Sequence, residues 1–196
     1  MATVSKASVL IPVAIALVGA LIALEVLRDQ GAKHDAAEQA AAGAGAAIVR
    51  KIGEPLPDLV FHSLDGKAVK LSDLKSKVVL INFWATWCGP CVKEMPSLQK
   101  LAAEYEKRGL SVVGVNVDDN PEDVLAPFLS KHGIKFTSFV DPKGELADKI
   151  GISGLPLTLV VDGNRKLLFE HLGDEEWFDA DYRKQFELWL AGTNPG

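Results

Sequence analysis

The most constraining feature of the sequence is an apolar run at residues 78–83 that is followed, three residues later, by the motif WCGPC. The run is apolar throughout apart from Asn82, which predicts a strand buried on both faces of a sheet. The residues after the motif are apolar at helical spacing as far as Gly109, and this spacing predicts a helix that ends there. The only two cysteines of the chain, Cys88 and Cys91, therefore lie where a buried strand meets a helix.

Strands and helices alternate through the rest of the chain, which predicts an α/β domain with a mainly parallel sheet covered on both sides. Asp65-Gly66 and Asp162-Gly163 are turn signals, each flanked by short apolar runs, and each predicts a hairpin. The remaining predicted elements are strands at 110–118 and 136–140, helices at 121–132 and 145–150, and a last helix with Tyr182, Phe186, Trp189 and Leu190 on one face.

The spacing of the two cysteines favours redox chemistry over a structural role. A disulfide between residues three apart closes a very short loop, and stabilisation by a disulfide grows with loop length. A tetrahedral zinc site needs two further ligands, but no second cysteine pair exists, and the histidines are scattered at positions 34, 62, 132 and 171. At a helix N-terminus, free N–H groups and the helix dipole stabilise a thiolate, which points to Cys88 as the reactive residue. Cys91 follows about one turn inside the helix.

The N-terminal part of the chain contains the apolar segment VLIPVAIALVGALIAL at residues 9–24. If the segment continues to Leu27, it reaches the lower part of the roughly 17–25 residues that a membrane-spanning helix needs. An uncleaved anchor is one interpretation. A signal peptide is the other, because Val18 and Ala20 are small enough for a cleavage site. Lys6 precedes the segment and basic residues also follow it, so positive charges do not determine its orientation.

These features divide the chain into three parts. We expect an anchor or signal segment at residues 1–30, an alanine-rich linker at 31–50 and a folded domain at 51–196. The linker has no apolar face wide enough to pack against a core. The formal net charge of −5 excludes a generally basic surface of the kind that attracts nucleic acid.

The stretch NFWATWCGPCVKEMP resembles the active site of the thioredoxin superfamily, and in particular its membrane-tethered branch, the TlpA/ResA/CcmG-type thiol–disulfide oxidoreductases. The resemblance covers residues 53–192. It includes the lead-in from GEPLPDLVF, the loop GISGLPLTLVVD and the segment HLGDEEWFDAD, which is similar to the TlpA group. The resemblance implies a thioredoxin fold with an N-terminal β-hairpin and a central helix–strand insertion, preceded by one transmembrane helix.

The same resemblance implies roles for individual residues. Cys88 and Cys91 match the redox-active pair, so the implied cofactor is their own disulfide, with no metal. Pro156 occupies the position of the cis-proline that faces this disulfide. The residues expected to contact a protein substrate are Trp87, Gly89, Pro90, Leu155 and Pro156, whereas Trp84 is expected to pack inside.

One position departs from thioredoxin itself. The buried acid of that family is replaced by Asn82, which cannot carry a proton. TlpA/ResA-type proteins often have Asn here together with a Glu three residues after the second cysteine, and Glu94 matches that position. Two interpretations of Glu94 stay open, a catalytic proton carrier and a solvent-exposed helix carboxylate beside Lys93. Asn82 is either part of the same proton relay or only a hydrogen-bonding residue of the sheet.

The resemblance implies a reductase of protein disulfides in the bacterial periplasm, held at the inner membrane by the N-terminal helix. The implied clients are proteins that mature the copper site of cytochrome oxidase or cytochrome c. The implied electron donor is a membrane relay of the DsbD or CcdA kind. If the N-terminal segment is cleaved, a soluble periplasmic or secreted form is expected instead.

Two other functions are compatible with this architecture. Sco-type copper metallochaperones use a CxxxC pair with a distant histidine, whereas this chain has CxxC. Peroxiredoxins require a threonine three residues before the reactive cysteine, and that position is Ala85, with Thr86 one residue too late.

The N-terminal segment generates a first prediction. Because residues 9–24 contain no charged side chain, the full chain should fractionate with membranes, and deletion of the residues before Ala36 should release a soluble, active domain. Cell fractionation followed by N-terminal sequencing checks this. A soluble mature protein that begins near Leu21 would show that the segment is a signal peptide.

Overall fold

The computed structural model describes residues 47–193, and these residues contain a seven-stranded sheet and four α-helices. The strands are β1 Val60–His62, β2 Ala68–Lys70, β3 Val78–Trp84, β4 Leu110–Asn116, β5 Thr137–Val140, β6 Leu157–Asp162 and β7 Leu167–Leu172. The helices are α1 Gly89–Tyr105, α2 Pro121–His132, α3 Glu145–Ile150 and α4 Ala180–Leu190, with 3-10 turns at Leu71–Leu74 and Glu106–Arg108.

The predicted elements are confirmed, but the prediction of a mainly parallel sheet is wrong. The strand order is β2-β1-β5-β4-β3-β6-β7, and only the β3–β4 and β4–β5 pairs are parallel. Both hairpins add antiparallel pairs, and β6 also runs antiparallel to β3. The helix before β6, α3, has 6 residues and rises about 9 Å, so it does not return the chain to the end of the sheet where β3 begins.

The direction of β6 places its start beside the end of β3. Leu157, the first residue of β6, pairs with Phe83, and the last residue, Asp162, pairs with Val78. The residues that precede β6 therefore lie at the edge of the sheet from which the Cys88 loop leaves β3. This juxtaposition is a consequence of the antiparallel pairing.

β3 forms the centre of the domain, as its apolar sequence predicts. All seven of its residues are buried. Its side chains alternate between two cores, one shared with α1, α2 and α4 and the other shared with β1 and α3. The first core receives Val78, Leu80 and Trp84 from β3, and the second receives Val79, Ile81 and Phe83.

Helix α1 begins where the sequence predicts. Cys88 has extended backbone geometry (φ −84°, ψ 101°) and serves as the N-cap, and a proline stands in the first turn, where its missing N–H costs no hydrogen bond. The helix continues through Pro96 to Tyr105, and a 3-10 turn leads to Gly109, whose φ of 105° requires a residue without Cβ.

The predicted membrane segment at residues 9–24, and the linker as far as residue 46, lie outside the described residues. Between residues 47 and 193, none of the helices is both long enough and apolar enough to cross a bilayer.

The contact between β4 and Trp84 generates a second prediction. A Cβ atom on Gly114 would lie 2.7 Å from Nε1 of Trp84, and this tryptophan is fully buried against Phe128. Gly114→Ala should therefore lower the free energy of unfolding by about 1–3 kcal/mol through overpacking. Gly154→Ala is the matched control, because its Cβ would meet Leu172 at an ordinary 3.5 Å. Urea denaturation checks this, and equal losses in both variants would contradict it.

Candidate active site

The two cysteines are joined by a disulfide at the boundary between the core and the surface. Cys88 keeps 6% of its surface exposed, and Cys91 is fully buried. The backbone N–H of Cys91 donates a hydrogen bond to Sγ of Cys88 at 3.3 Å. The sulfur of Cys88 thus lies in the position where the start of α1 stabilises negative charge.

Of the five residues expected to contact a substrate, three are exposed, Leu155 is half-buried and Pro156 is buried. Trp87 is 71% exposed, whereas Trp84 is fully buried, as predicted for a packing residue. Gly89 and Pro90 are also exposed at the start of α1. A separate loop contributes Leu155 and Pro156, which are joined by a cis peptide bond.

The loop that contains Pro156 is fixed on one side and open on the other. The carbonyl oxygen of Pro156 accepts a hydrogen bond from the N–H of Gly173 at 2.9 Å. Within residues 47–193, no other backbone group pairs with the N–H or the C=O of Leu155. The backbone of Leu155 is therefore available to an extended segment of another protein.

Glu94 is buried, so its interpretation as a solvent-exposed carboxylate is wrong. The residue is 2% exposed, whereas the side chain of the preceding Lys93 is 78% exposed and pairs with Asp174. The two side chains differ because successive residues of a helix point in directions about 100° apart. Glu94 points toward the sheet, on the same helix face as Cys91, which is three residues earlier.

Three hydrogen-bond donors surround the Glu94 carboxylate. Nδ2 of Asn82 donates to Oε1 at 2.8 Å. Nε1 of Trp177 donates to Oε2 at 2.7 Å, and the backbone N–H of Glu175 donates to the same oxygen at 3.4 Å. Two of the donors thus come from the segment between β7 and α4, and one comes from β3.

The pKa of Glu94 results from two opposing effects. The pKa is raised from 4.5 to about 7, and the largest cause is burial, because the ionised form loses its hydration. The hydrogen bonds from Trp177, Asn82 and the backbone of Glu175 favour the ionised form and limit the rise. A carboxyl group that exchanges its proton near neutral pH therefore lies one helical turn from Cys91.

Asn82 does more than pair within the sheet. Its Nδ2 donates to Oγ1 of Thr158 on β6 at 3.0 Å as well as to Glu94. Its Oδ1 is buried and has no hydrogen-bond partner within the described part of the chain. Asn82 thus orients Glu94 but carries no exchangeable acid proton itself.

A second buried carboxylate supports the loop before the disulfide. Asp118 is 5% exposed and accepts hydrogen bonds from the backbone N–H and the hydroxyl of Thr86, at 3.1 and 3.0 Å. Nδ2 of Asn116 donates to the same carboxylate at 2.6 Å. The loop that presents Trp87 and Cys88 is therefore tied to the end of β4.

The sequence patterns did not single out Trp177, Thr158 or Asp118. A signal existed for Asp118, because it is the last residue of the strand predicted at 110–118, whose carboxyl end lies beside that of β3 when the two strands are parallel. For Trp177 the signal was its place in HLGDEEWFDAD, and nothing in that segment indicates a contact with Glu94, which lies 83 residues away. Within residues 47–193, no group of three or more His, Cys, Asp or Glu could hold a metal ion.

Comparison with known proteins places this site in a family. The redoxin family model matches residues 51–185. The thiol-disulfide oxidoreductase ResA of Bacillus thuringiensis (strain Al Hakam) is 32% identical over 145 residues, which cover 74% of this chain and 80% of ResA. The chain belongs to the TlpA/ResA/CcmG-type redoxins of the thioredoxin superfamily.

Solved structures agree with this assignment. A protein assigned as the thiol:disulfide interchange protein DsbE from Chlorobium tepidum superposes with a TM-score of 0.65 at 34% identity, over 72% of this chain and 99% of that one. A protein assigned as a protein disulfide isomerase from Bacteroides thetaiotaomicron gives a TM-score of 0.63 at 31% identity, over 73% and 92% of the two chains. This TlpA/ResA-type chain is a thiol–disulfide oxidoreductase with protein-disulfide reductase activity.

The raised pKa of Glu94 generates a third prediction. Between pH 4.5 and about 7 the folded protein keeps a proton on Glu94 that the unfolded chain releases. The free energy of unfolding therefore falls as pH rises through this window, and the loss is complete above pH 7. Glu94→Gln has no group that titrates at this position, so it does not lose this contribution. The free energy of unfolding of the variant minus that of the parent should therefore increase by roughly 2–3 kcal/mol as pH rises from 4.5 to about 7.

Urea titrations of the oxidised proteins at several pH values measure this difference. Glu104→Gln, which removes an exposed carboxylate from the same helix, is the control. If the difference between Glu94→Gln and the parent stays constant with pH, then Glu94 does not titrate between pH 4.5 and about 7.

Proposed function

We propose that this protein reduces disulfides of exported proteins on the extracytoplasmic side of the bacterial inner membrane, in the maturation of the cytochrome oxidase copper site or of cytochrome c. One arrangement carries this proposal: Cys88 at the surface end of α1, Cys91 buried behind it, and a protonatable Glu94 one turn further along. Gly89 and Pro90 match the dipeptide of thioredoxin, which supports a reducing role.

The reaction begins with the reduced pair. The Cys88 thiolate attacks one sulfur of a client disulfide, a bond forms between that sulfur and Sγ of Cys88, and the client's own S–S bond breaks. The other sulfur of the client disulfide leaves as a thiolate and takes a proton from solvent. Cys88 is suited to attack because it has exposed surface and lies at the helix N-terminus.

The second step regenerates the disulfide. Cys91 loses its proton and attacks Sγ of Cys88, which forms the Cys88–Cys91 bond and releases the second client sulfur as a thiolate. Two electrons have then moved from the dithiol to the client. Cys91 is fully buried, so its proton needs an acceptor within the protein, and Glu94 is on the same face of the helix and ionises near neutral pH.

The client binds to the surface around Cys88. An extended segment pairs with the free backbone groups of Leu155, and the hydrogen bond from Gly173 to the carbonyl oxygen of Pro156 holds that loop in place. Trp87, Gly89 and Pro90 supply the exposed contacts. Because backbone pairing reads little side-chain sequence, such a surface accepts more than one client.

The family and the N-terminal segment support the proposed cellular setting. In an oxidising compartment the Cys88–Cys91 disulfide must be reduced again, and a membrane electron relay of the DsbD or CcdA kind would supply two electrons and two protons. Residues 9–24 would hold the domain near that relay. The segment HLGDEEWFDAD, which resembles the TlpA group, favours clients of copper-site assembly.

A trapping experiment tests the proposal and is the fourth prediction. In Cys91→Ser the first attack proceeds but the resolving thiol is missing, so mixed disulfides with clients should accumulate. Cys88→Ser, the matched control, should trap little. Non-reducing gels of cells that carry each variant, followed by mass spectrometry, identify the trapped proteins.

The adducts should be dominated by exported proteins with paired cysteines that assemble copper or haem sites. More adduct with Cys88→Ser than with Cys91→Ser would reverse the assigned roles of the two cysteines. Adducts with cytosolic proteins would overturn both the location and the client class.

A further inference from the structure

The segment at residues 173–177, between β7 and α4, closes over the buried carboxylate of Glu94. Its last residue, Trp177, donates from Nε1 to Oε2 of Glu94 at 2.7 Å, and the backbone N–H of Glu175 donates to the same atom. At the outer end of the segment, Asp174 pairs with Lys93 of α1 at 2.6 Å. The segment is thus attached to α1 at Glu94 and at Lys93.

We propose that Trp177 is a positioning residue, which holds Oε2 of Glu94 in place and favours the ionised form that accepts the proton of Cys91. This inference rests on the proposed function, because it assumes that Glu94 serves the second step of the reaction. The hydrogen bond itself can be tested without that assumption.

The position of Trp177 is fixed from several directions. The residue is fully buried, and its ring lies 4.8 Å from that of Tyr182 and 6.3 Å from that of Phe169, measured between centroids. Its backbone N–H donates to Oγ of Ser97 at 3.1 Å, and that hydroxyl donates to the carbonyl oxygen of Glu94 at 2.7 Å. The indole therefore cannot move away from Glu94 without loss of core packing.

The indole of Trp177 favours one protonation state of Glu94. An indole N–H is a donor only, so it can donate a hydrogen bond to a carboxylate but cannot accept one from the O–H of a protonated carboxyl group. Of the effects that favour the ionised form of Glu94, the bond from Trp177 is the largest. Removal of this donor, with the aromatic packing kept, should raise the pKa of Glu94 further.

The titratable groups around Glu94 come from four elements. Lys93 and Asp174 form an ion pair, which raises the pKa of the lysine and lowers that of the aspartate, so both stay charged near neutral pH. Burial raises the pKa of Tyr182 to about 12. The others are Cys91 of α1, Glu175 of the segment and His171 of β7, which pairs with Glu175 at 3.2 Å.

The fifth prediction compares Trp177→Phe with Trp189→Phe, which removes a largely buried indole from the same core without touching Glu94. In the oxidised protein, where no thiol titrates, the side-chain carboxyl of ¹³C-labelled Glu94 is followed by NMR against pH. Trp177→Phe should raise its pKa by about one pH unit, since a hydrogen bond to a charged group is lost. Trp189→Phe should leave the pKa of Glu94 unchanged. His171→Gln should also leave it unchanged, which would show that the histidine does not cause the shift.

The kinetic consequence is measured on the reduced protein with Ellman's reagent. Cys88 reacts first and carries a nitrothiobenzoate group, which the attack of Cys91 on Sγ of Cys88 then expels as a coloured thiolate. The rate of this second release should rise with pH as Glu94 ionises. In Trp177→Phe the half-maximal pH should move upward by about one unit, and in Trp189→Phe it should not move.

A measurement on the parent protein covers the case in which Trp177→Phe does not fold. The ¹H–¹⁵N indole resonance of Trp177 should titrate with the pKa of Glu94, and this titration should vanish in Glu94→Gln. A resonance that does not respond, or an unchanged Glu94 pKa in a folded Trp177→Phe, overturns the inference. If instead the release rate of Glu94→Gln keeps the pH profile of the parent, then the proposed role of Glu94 fails while the hydrogen bond stands.

Discussion

The pairing of β3 with β4 on one side and β6 on the other determines where the Cys88 loop, the Pro156 loop and Asn82 lie. The parallel neighbour, β4, ends beside the Cys88 loop, so Asp118 can bind Thr86. The antiparallel neighbour, β6, begins there, which places Pro156 at the same edge. In this register Asn82 is opposite Thr158, and a shift of one residue would turn the two side chains to opposite faces of the sheet.

Burial of a carboxyl group destabilises the fold, and here only uncharged hydrogen-bond donors compensate for it. Glu94 has no cation beside it in the described structure; its partners are an amide, an indole and a backbone N–H. A cation would stabilise the charge so strongly that the carboxylate would not accept a proton near neutral pH. Neutral donors offset only part of the cost of burial, so the two protonation states remain close in free energy.

The two cysteines differ in their access to solvent. Cys88 has some exposed surface and receives a hydrogen bond from the start of α1, whereas Cys91 is enclosed with Glu94. A client that approaches from solvent can therefore reach only the first sulfur. The second sulfur exchanges its proton inside the protein, where the segment at residues 173–177 excludes water from the carboxylate.

The sequence alone was sufficient for most local structure. Helices α2 and α3 have the predicted bounds, because Pro121 and the glycines after each helix act within a few residues of the ends they mark. The position of the CxxC pair at the strand–helix junction could also be predicted, because both the buried strand and the helix start are local sequence patterns. The direction of β6 could not be predicted from the sequence. The alternation of strands and helices does not show whether a helix as short as α3 returns the chain along the sheet.

For the site, the sequence determined which residues could do the chemistry, and the tertiary structure decided in what environment they do it. Glu94 could be picked out three residues after Cys91, but the spacing alone did not tell a buried proton carrier from a surface carboxylate beside Lys93. Its burial depends on β3 and on a segment some 80 residues away, as the bond from Trp177 illustrates. Burial and hydrogen bonding set a pKa, and both come from contacts between parts of the chain that are distant in sequence.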